Sequence, residues 1–473
     1  MSPPADRDVV GDAAREAKRR LERAALTRRA GRVVRAVGLA VESRGPRVAV
    51  GEECRLETAT GRLLSLAEVV GFEGNTIYTM PVDPVRGLKL GDRVVATGRH
   101  PRIPVGDGLL GRVLDADGQP LDGAGPVSTD TRWVIHAEPL PALSRPMITE
   151  PMKSGIRAID GLITLGRGQR IGIFAGSGVG KSRLLGGLAR HAGDDIIVIA
   201  LVGERNREVR EFVESELGPQ GRRRSVVFVA TSDESPLRRV RCALAATTAA
   251  EHFRERGLSV ALLMDSVTRV AMALREIGLA TGEPPSSKGY PPSVFAFLPR
   301  LLERAGRKEG SGSVTGIYTV FVEGDDLTDP VADASRAILD GHIVLARELA
   351  EKAHYPAIDV LASNSRVMPK IVSADQYRAA EQVRRMIAVH RENRDLVSIG
   401  AYRRGSDPEL DEALERQPAI NAFLRQDLTQ AAPFEQTEAR LIELGTVRAE
   451  GVEGTEDTRG TAGAAGAHGN AEV

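Results

Sequence analysis

Lys181 and Ser182 stand side by side at the end of a Gly-rich stretch, RIGIFAGSGVGKS (Arg170–Ser182). A primary ammonium and a hydroxyl in that position can bind phosphate oxygens and a divalent cation, respectively. The backbone of Gly176, Ser177, Gly178, Val179 and Gly180 supplies N–H groups that can turn inward around phosphates. Ile171–Phe174 before the loop reads as a buried strand, and Arg183–Ala189 after it is compatible with a helix. Strand, loop and helix in that order are the context a P-loop requires, and the helix N-terminus adds partial positive charge. Ala175 occupies the first Gly position of G-x-x-x-x-G-K-[ST]. Its methyl is tolerable if the backbone there stays extended or right-handed. The competing reading is a Gly-rich turn with a chance GKS.

A phosphate cradle hydrolyses nothing without a second metal anchor, a carboxylate for the attacking water and cationic charge. Val260–Asp265 is an apolar run ending in an acid. Asp265 at the end of such a strand would face the loop and hold Mg²⁺; otherwise it caps the next helix. Arg269, four residues on, falls on the same side if a helical turn follows. Ile196–Val202 is another apolar run, followed by Gly203-Glu204-Arg205. Side chains at the carboxyl ends of parallel strands lie on the ligand side of the sheet. Glu204 is therefore the expected general base, with Arg205 pairing either with it or with a γ-phosphate. Glu204 and Glu208 also suit the first turn of a helix.

The elements that must position these groups follow from the rest of the chain. Its 473 residues exceed one ordinary domain. Sixty-four basic side chains balance 64 acidic ones, and aromatics make up 4%. Neither feature suits a nucleic-acid surface. Cys54 and Cys242 have neither metal-ligand nor disulfide spacing, and Cys54 reads as core. No apolar run reaches the ~18 residues of a membrane span. The pattern predicts a multi-domain α/β protein. Residues 1–30 form a basic amphipathic arm, either packed on its own domain or docking a partner or anionic lipid. Residues 31–100 form a small β-barrel, with strands at Val33–Val41, Arg47–Val50, Leu63–Val70, Thr76–Met80 and Asp92–Ala96. Residues 101–373 form an α/β domain with a mostly parallel sheet. Its strands are expected at Arg170–Phe174, Ile196–Val202, Ser225–Thr231, Val260–Met264, Val314–Phe321 and Ile343–Leu345, with GLLGRVLDADGQPLDGAG joining it to the barrel. Residues 374–445 form a charged helical domain broken at Gly400 and Ser406-Asp407-Pro408, and residues 446–473 form a disordered tail.

AGSGVGKS, VGERNREVREF, LLMDSVTR, GEPPSSKGYPPSVF, VEGDDLTDPVAD and ILDGHIVLARELAEKAHYPAIDVLASNSRVM occur in that order. In this they resemble the type III secretion ATPase family, within the α/β-subunit superfamily of rotary ATP synthases. PAIDVLASNS (Pro356–Ser365) resembles the superfamily's signature segment. RPMITEPMKSGIRAIDGLITLGRGQRIGIFAGSGVGKS and SIGAYRRGSDPELD are most similar to the flagellum-specific export branch. The resemblance covers roughly residues 31–443.

It implies a RecA-like P-loop NTPase domain over residues 101–373 and a homohexameric ring that hydrolyses Mg-ATP at subunit interfaces. Lys181, Ser182, Glu204, Arg205, Asp265 and Arg269 match the catalytic positions. Arg366 matches an arginine finger reaching the neighbouring subunit's γ-phosphate, and Tyr355 matches the aromatic packed on adenine. Pro284–Ser293 resembles the loop that lines the pore and meets a central stalk protein. Asn206 stands where the family commonly has Gly, and modest slowing is expected there. The resemblance further implies a regulator or stator at the N-terminal arm, chaperone–substrate complexes at the C-terminal domain, and an export gate. It implies a cytoplasmic location, peripherally associated with the inner face of the membrane, and no nucleic-acid partner. The expected function is ATP hydrolysis energising type III protein export, flagellar rather than virulence-associated. Two other readings compete. A non-catalytic ring subunit would lack a carboxylate at Glu204. A Rho-like translocase would need a barrel richer in aromatics than one holding only Phe72 and Tyr78.

Overall fold

The computed structural model describes residues 28–446 apart from positions 130, 194, 195, 323, 325 and 327. The expected N-terminal arm (to residue 27) and C-terminal tail (from residue 447) lie outside the described residues.

Six antiparallel strands close a barrel: Ala30–Val37, Ala40–Arg44, Glu53–Glu57, Leu63–Glu73, Thr76–Pro81 and Arg93–Ala96. Alternating side chains of these strands fill its core, including Val33, Val41, Cys54, Leu56, Val69 and Val94. Two strand assignments are corrected. Val33–Val41 is a hairpin, because Gly38 at φ 60° reverses the chain. Arg47–Val50 is not a strand; the third barrel strand is Glu53–Glu57, whose alternation carries the buried Cys54.

The central sheet runs, in spatial order, through Ile358–Ser365, Gly341–Leu345, Arg170–Ala175, Ser313–Phe321, Ser259–Asp265, Ile196–Val202, Ser225–Ala230 and Val113–Asp115. All are parallel except the edge strand Ile358–Ser365. The short Gly306–Arg307 strand pairs beside Ser313–Phe321. IIVIALV and SVVFVA are buried along their whole length, as central strands covered on both faces must be. The segment expected only to link barrel and sheet supplies an edge strand instead, Val113–Asp115, which pairs with Val227–Val229. Asp115 and Asp122 brace the two turns that follow it.

Helices Ala374–Glu392, Pro408–Leu424 and Phe434–Gly445 form the C-terminal layer. Ser373 Oγ caps the first of them at Gln376 N (3.1 Å), and Asp407 caps the second at Glu409 N (2.9 Å). Gln376 Nε2 ties this layer to Asp160 O (2.9 Å), and Arg157 Nε ties it to Phe423 O (2.7 Å). The barrel is tied through the buried Arg241, which binds Glu68 of the barrel (2.9 Å) and Asp117 (3.0 Å). No helix among the described residues is long and apolar enough to cross a membrane.

Candidate functional site

The carboxyl ends of Arg170–Ala175, Ile196–Val202 and Ser259–Asp265 open onto one cleft of about 670 Å³. Its floor is the loop between Ala175 and the helix Lys181–His191. Ala175 ends the strand in extended, buried backbone, so its methyl at the first Gly position is accommodated. Gly178 (φ 78°) and Gly180 (φ 90°) make the left-handed turns that bring the loop back under the helix. Gly176, Ser177, Gly178, Gly180, Lys181, Ser182 and Arg183 all line the cleft, whereas Val179 is buried beneath it.

Lys181 Nζ lies 2.6 Å from Asp265 Oδ1 and 3.5 Å from Glu204 Oε1. Burial works against the ammonium's charge, but the two carboxylates outweigh it and raise its proton affinity. Asp265 is buried, and its Oδ1 also accepts a hydrogen bond from Thr319 Oγ1 (2.7 Å). Strand register brings Thr319 there, one position beyond the Met264–Tyr318 pair. Ser266, next in the chain, caps the helix Val267–Ala280 at Arg269 N (3.3 Å). The structure thus separates the two roles open to Asp265: the acid binds Lys181 beneath the cleft and its neighbour does the capping.

Glu204 behaves differently from Asp265. Burial first, and then the nearby Asp265 and Glu208, push its carboxyl up to about 7 against the pull of Lys181. Its hydrogen bond with Glu204 holds Glu208 below the ordinary carboxylate range. Glu208 also accepts from Arg205 N (3.2 Å), the N-terminal helix role open to it in the sequence. Arg205 pairs with Glu208 (3.6 Å) rather than Glu204, and its side chain is 81% exposed at the cleft mouth. Asn206 opens the helix Asn206–Glu211 and donates to Asp233 Oδ1 (3.3 Å). It has no positive φ, so no glycine-like conformation is required of it. Gly203 does need one, at φ 72°, and a Cβ there would stand 3.0 Å from the Arg269 side chain. Glycine at 203 therefore leaves the room that Arg269 fills along the cleft wall.

Tyr355 closes the far end of the cleft, its ring over Gly180. Gln426 N, from the C-terminal layer, holds its carbonyl (3.0 Å). Arg366 is not in this cleft. It follows the antiparallel edge strand, and its N–H donates to Asp340 O (3.0 Å) beside Arg170, at the amino end of the strand that carries the loop. Six residues of strand separate it from its own P-loop, roughly 17 Å. Its exposed guanidinium makes no hydrogen bond or ion pair among the described residues. The Pro284–Ser293 segment is largely exposed, and Lys288 at its tip faces Asp326 (3.6 Å). Sequence reasoning missed Thr319 and the wall residues Glu211, Glu216, Ser232 and Phe321. Which neighbours a strand acquires is not written in its own residues.

Residues 33–98 match the ATP synthase alpha/beta family, beta-barrel domain, and residues 155–365 match the nucleotide-binding domain of the same family. Residues 372–443 match the T3SS EscN ATPase C-terminal domain. A flagellum-specific ATP synthase of Pseudomonas aeruginosa is 50% identical over 88% of this chain and 92% of its own. A type 3 secretion system ATPase of Xanthomonas euvesicatoria is 51% identical over 89% and 95%. The assembled ATPase EscN from the enteropathogenic E. coli type III secretion system superposes with a TM-score of 0.84 at 43% identity. That comparison covers 88% of this chain and all of EscN. Barrel, nucleotide domain and helical domain all agree with those relatives, and the chain belongs to the ATP synthase alpha/beta family, among its flagellar and type III secretion ATPases.

Proposed function

We propose that the chain hydrolyses Mg-ATP at the interfaces of a homohexameric ring and energises type III protein export. One observation carries the reading. Lys181, Glu204 and Asp265 converge on one cleft, while Arg366 stands at the other end of the sheet, unpaired among the described residues and beyond reach of that cleft. The loop amides and Lys181 hold the β- and γ-phosphates of ATP, and Tyr355 packs on the base. Ser182 and Asp265 offer only hard oxygen donors, which suits Mg²⁺. Thr319 and Lys181 both engage Asp265 Oδ1, so Oδ2 would be the oxygen offered to the metal. Mg²⁺ held there would neutralise developing phosphate charge. Glu204, with a carboxyl poised near neutrality, orients the attacking water and accepts its proton. Arg205 and Arg269 add positive charge at the cleft wall. Arg366 completes the neighbour's site, which makes turnover depend on assembly.

Flagellar export is the first form of this reading, on AGSGVGKS, SSKGYPPSVF and GAYRRGSDP. A virulence-type apparatus is the second, because relatives of both names stand at 50% and 51% identity. The Pro284–Ser293 loop is the proposed contact for a central stalk; EscN has been solved in complex with its central stalk EscO. The remaining partners proposed are a regulator at residues 1–30, chaperone–substrate complexes at the C-terminal layer, and an export gate approached by peripheral contact with the inner membrane face.

The test is ATP turnover against protein concentration for wild type and Arg366→Ala, with and without Mg²⁺. Specific activity should rise with concentration, vanish under chelation and fall by about 10³-fold or more in Arg366→Ala with nucleotide binding retained. Flat specific activity and an unaffected variant would sink the interface mechanism. Binding without turnover in either protein would favour a non-catalytic ring subunit.

A further inference from the structure

Arg366 is a flexible side chain whose proposed partner lies in another subunit. Its backbone, however, is held at several points. Arg366 N–H donates to Asp340 O (3.0 Å), and Asp340 N donates to Arg170 O (2.8 Å). Arg170 returns three bonds to the Asp340 carboxylate: N to Oδ2 (3.1 Å), Nε to Oδ2 (3.0 Å) and Nη2 to Oδ1 (3.1 Å). The guanidinium's remaining arm pairs with Glu303, which Arg145 holds from the other side (3.3 Å). Ser365, immediately before the arginine, is pinned by its own hydroxyl to Thr164 O (2.8 Å) and by Gln169 Nε2 (3.2 Å). The same Gln169 amide also reaches Asp340 O (3.2 Å).

We infer that Asp340, clamped by Arg170, is a positioning residue that fixes the backbone under Arg366 and so aims its guanidinium at the neighbouring subunit's nucleotide. The inference rests on the proposed role of Arg366 as a finger. Two physical considerations favour positioning over plain sheet-end stability. Asp340 O accepts from Arg366 N itself, so the clamp acts on the finger's own backbone and not only on the sheet end. A bidentate pair is rigid in direction, and displacing a reacting group by about 1 Å costs on the order of 10²-fold in rate. Arg170 also begins the strand whose last residue, Ala175, opens the P-loop. One six-residue strand therefore holds this subunit's phosphate loop at one end and the anchor of its finger at the other.

The experiment compares Asp340→Asn, Arg170→Lys and Arg366→Ala, and combines each of the first two with the third, all in the full-length assembled protein. Three quantities are read: kcat, affinity for Mg-ADP, and affinity for Mg-ADP with aluminium fluoride, a mimic of the transferring phosphoryl group. Asp340→Asn and Arg170→Lys should each lower kcat and aluminium fluoride affinity about 10–100-fold. Mg-ADP affinity, ring assembly and thermal midpoint should stay put. In the Arg366→Ala background neither should cause a further fall in aluminium fluoride affinity. Full kcat in both single variants beside a dead Arg366→Ala overturns the inference and leaves the finger standing. Equal falls in both backgrounds, or a parallel loss of Mg-ADP affinity, overturn it in favour of a structural role. An active Arg366→Ala removes the finger itself, and the inference with it. Arg170→Lys keeps the charge and carries the test if Asp340→Asn does not assemble.

Discussion

Glu204→Gln should make the nucleotide-free protein more stable while nearly abolishing turnover, with the stability gain dependent on pH. Burial and the neighbouring Asp265 and Glu208 push the Glu204 carboxyl from its ordinary 4.5 to about 7 in the folded chain. Below pH 4.5 folded and unfolded chains both hold the proton, and the ionisation contributes no difference. Between pH 4.5 and 7 the unfolded chain gives up its proton and the folded chain does not, so wild type loses stability as pH rises. Above 7 both are ionised and the loss stays constant. At ~1.4 kcal/mol for each pH decade, the full effect is at most about 3–4 kcal/mol. Solvent screening of a side chain left 19% exposed brings the expectation to roughly 2 kcal/mol. Glutamine has no charge to desolvate and escapes this loss. Urea unfolding of both proteins at pH 5 and pH 8.5 should show Glu204→Gln gaining about 2 kcal/mol on wild type between the two. Wild-type kcat/KM should fall along an acid limb near pH 7, and the variant's kcat should drop by about 10²–10⁴. A pH-independent stability difference, or an acid limb near 4.5, would show Glu204 to be an ordinary solvated carboxylate and refute the argument.

Glu208→Gln should move that acid limb to lower pH, because Glu208 is one of the groups holding the Glu204 proton on; a pH–rate profile decides it. Tyr355→Ala should raise KM for ATP about 10–100-fold, the worth of one base stacked on an aromatic ring, and leave the melting temperature of a 37%-exposed residue nearly unchanged. Tyr355→Phe should behave as wild type in the same titration. Gly203→Ala should cost about 1–2 kcal/mol of stability through its left-handed backbone and lower kcat by pushing Arg269 from the cleft wall; an unaltered kcat would show that the position of Arg269 does not matter. Arg304→Ala should destabilise by about 3–5 kcal/mol, leaving Glu251 buried without the two bonds at 2.9 and 2.6 Å that now balance it, and calorimetry would measure it.

The P-loop, the buried strands and the carboxylates at their ends were legible in the sequence because each is a local pattern. IIVIALV can only be a covered strand, and Gly178 and Gly180 suit only a loop that needs left-handed backbone. The barrel was legible as a barrel, but its strands slipped where local cues conflict. Val33–Val41 looked continuous although Gly38 turns it, and Arg47–Val50 looked like a strand although the ladder runs through Cys54. Family resemblance, rather than any local pattern, singled out Tyr355 and Arg366 among many equivalent side chains.

Everything that depends on which segments lie side by side belonged to the tertiary structure. The sequence determined that a lysine, two acids and a hydroxyl would sit at strand ends, since strand polarity and chain direction suffice for that. Only the fold decided that Lys181 meets Asp265 at 2.6 Å, that Thr319 holds the same oxygen, and that Glu204 is buried enough to keep its proton near neutrality. Only the fold turned the last strand antiparallel and so carried Arg366 to the end of the sheet away from its own cleft. Register, strand direction and burial are collective properties of paired segments. They set distances and dielectric, and through these the chemistry of residues whose identity alone leaves both undetermined.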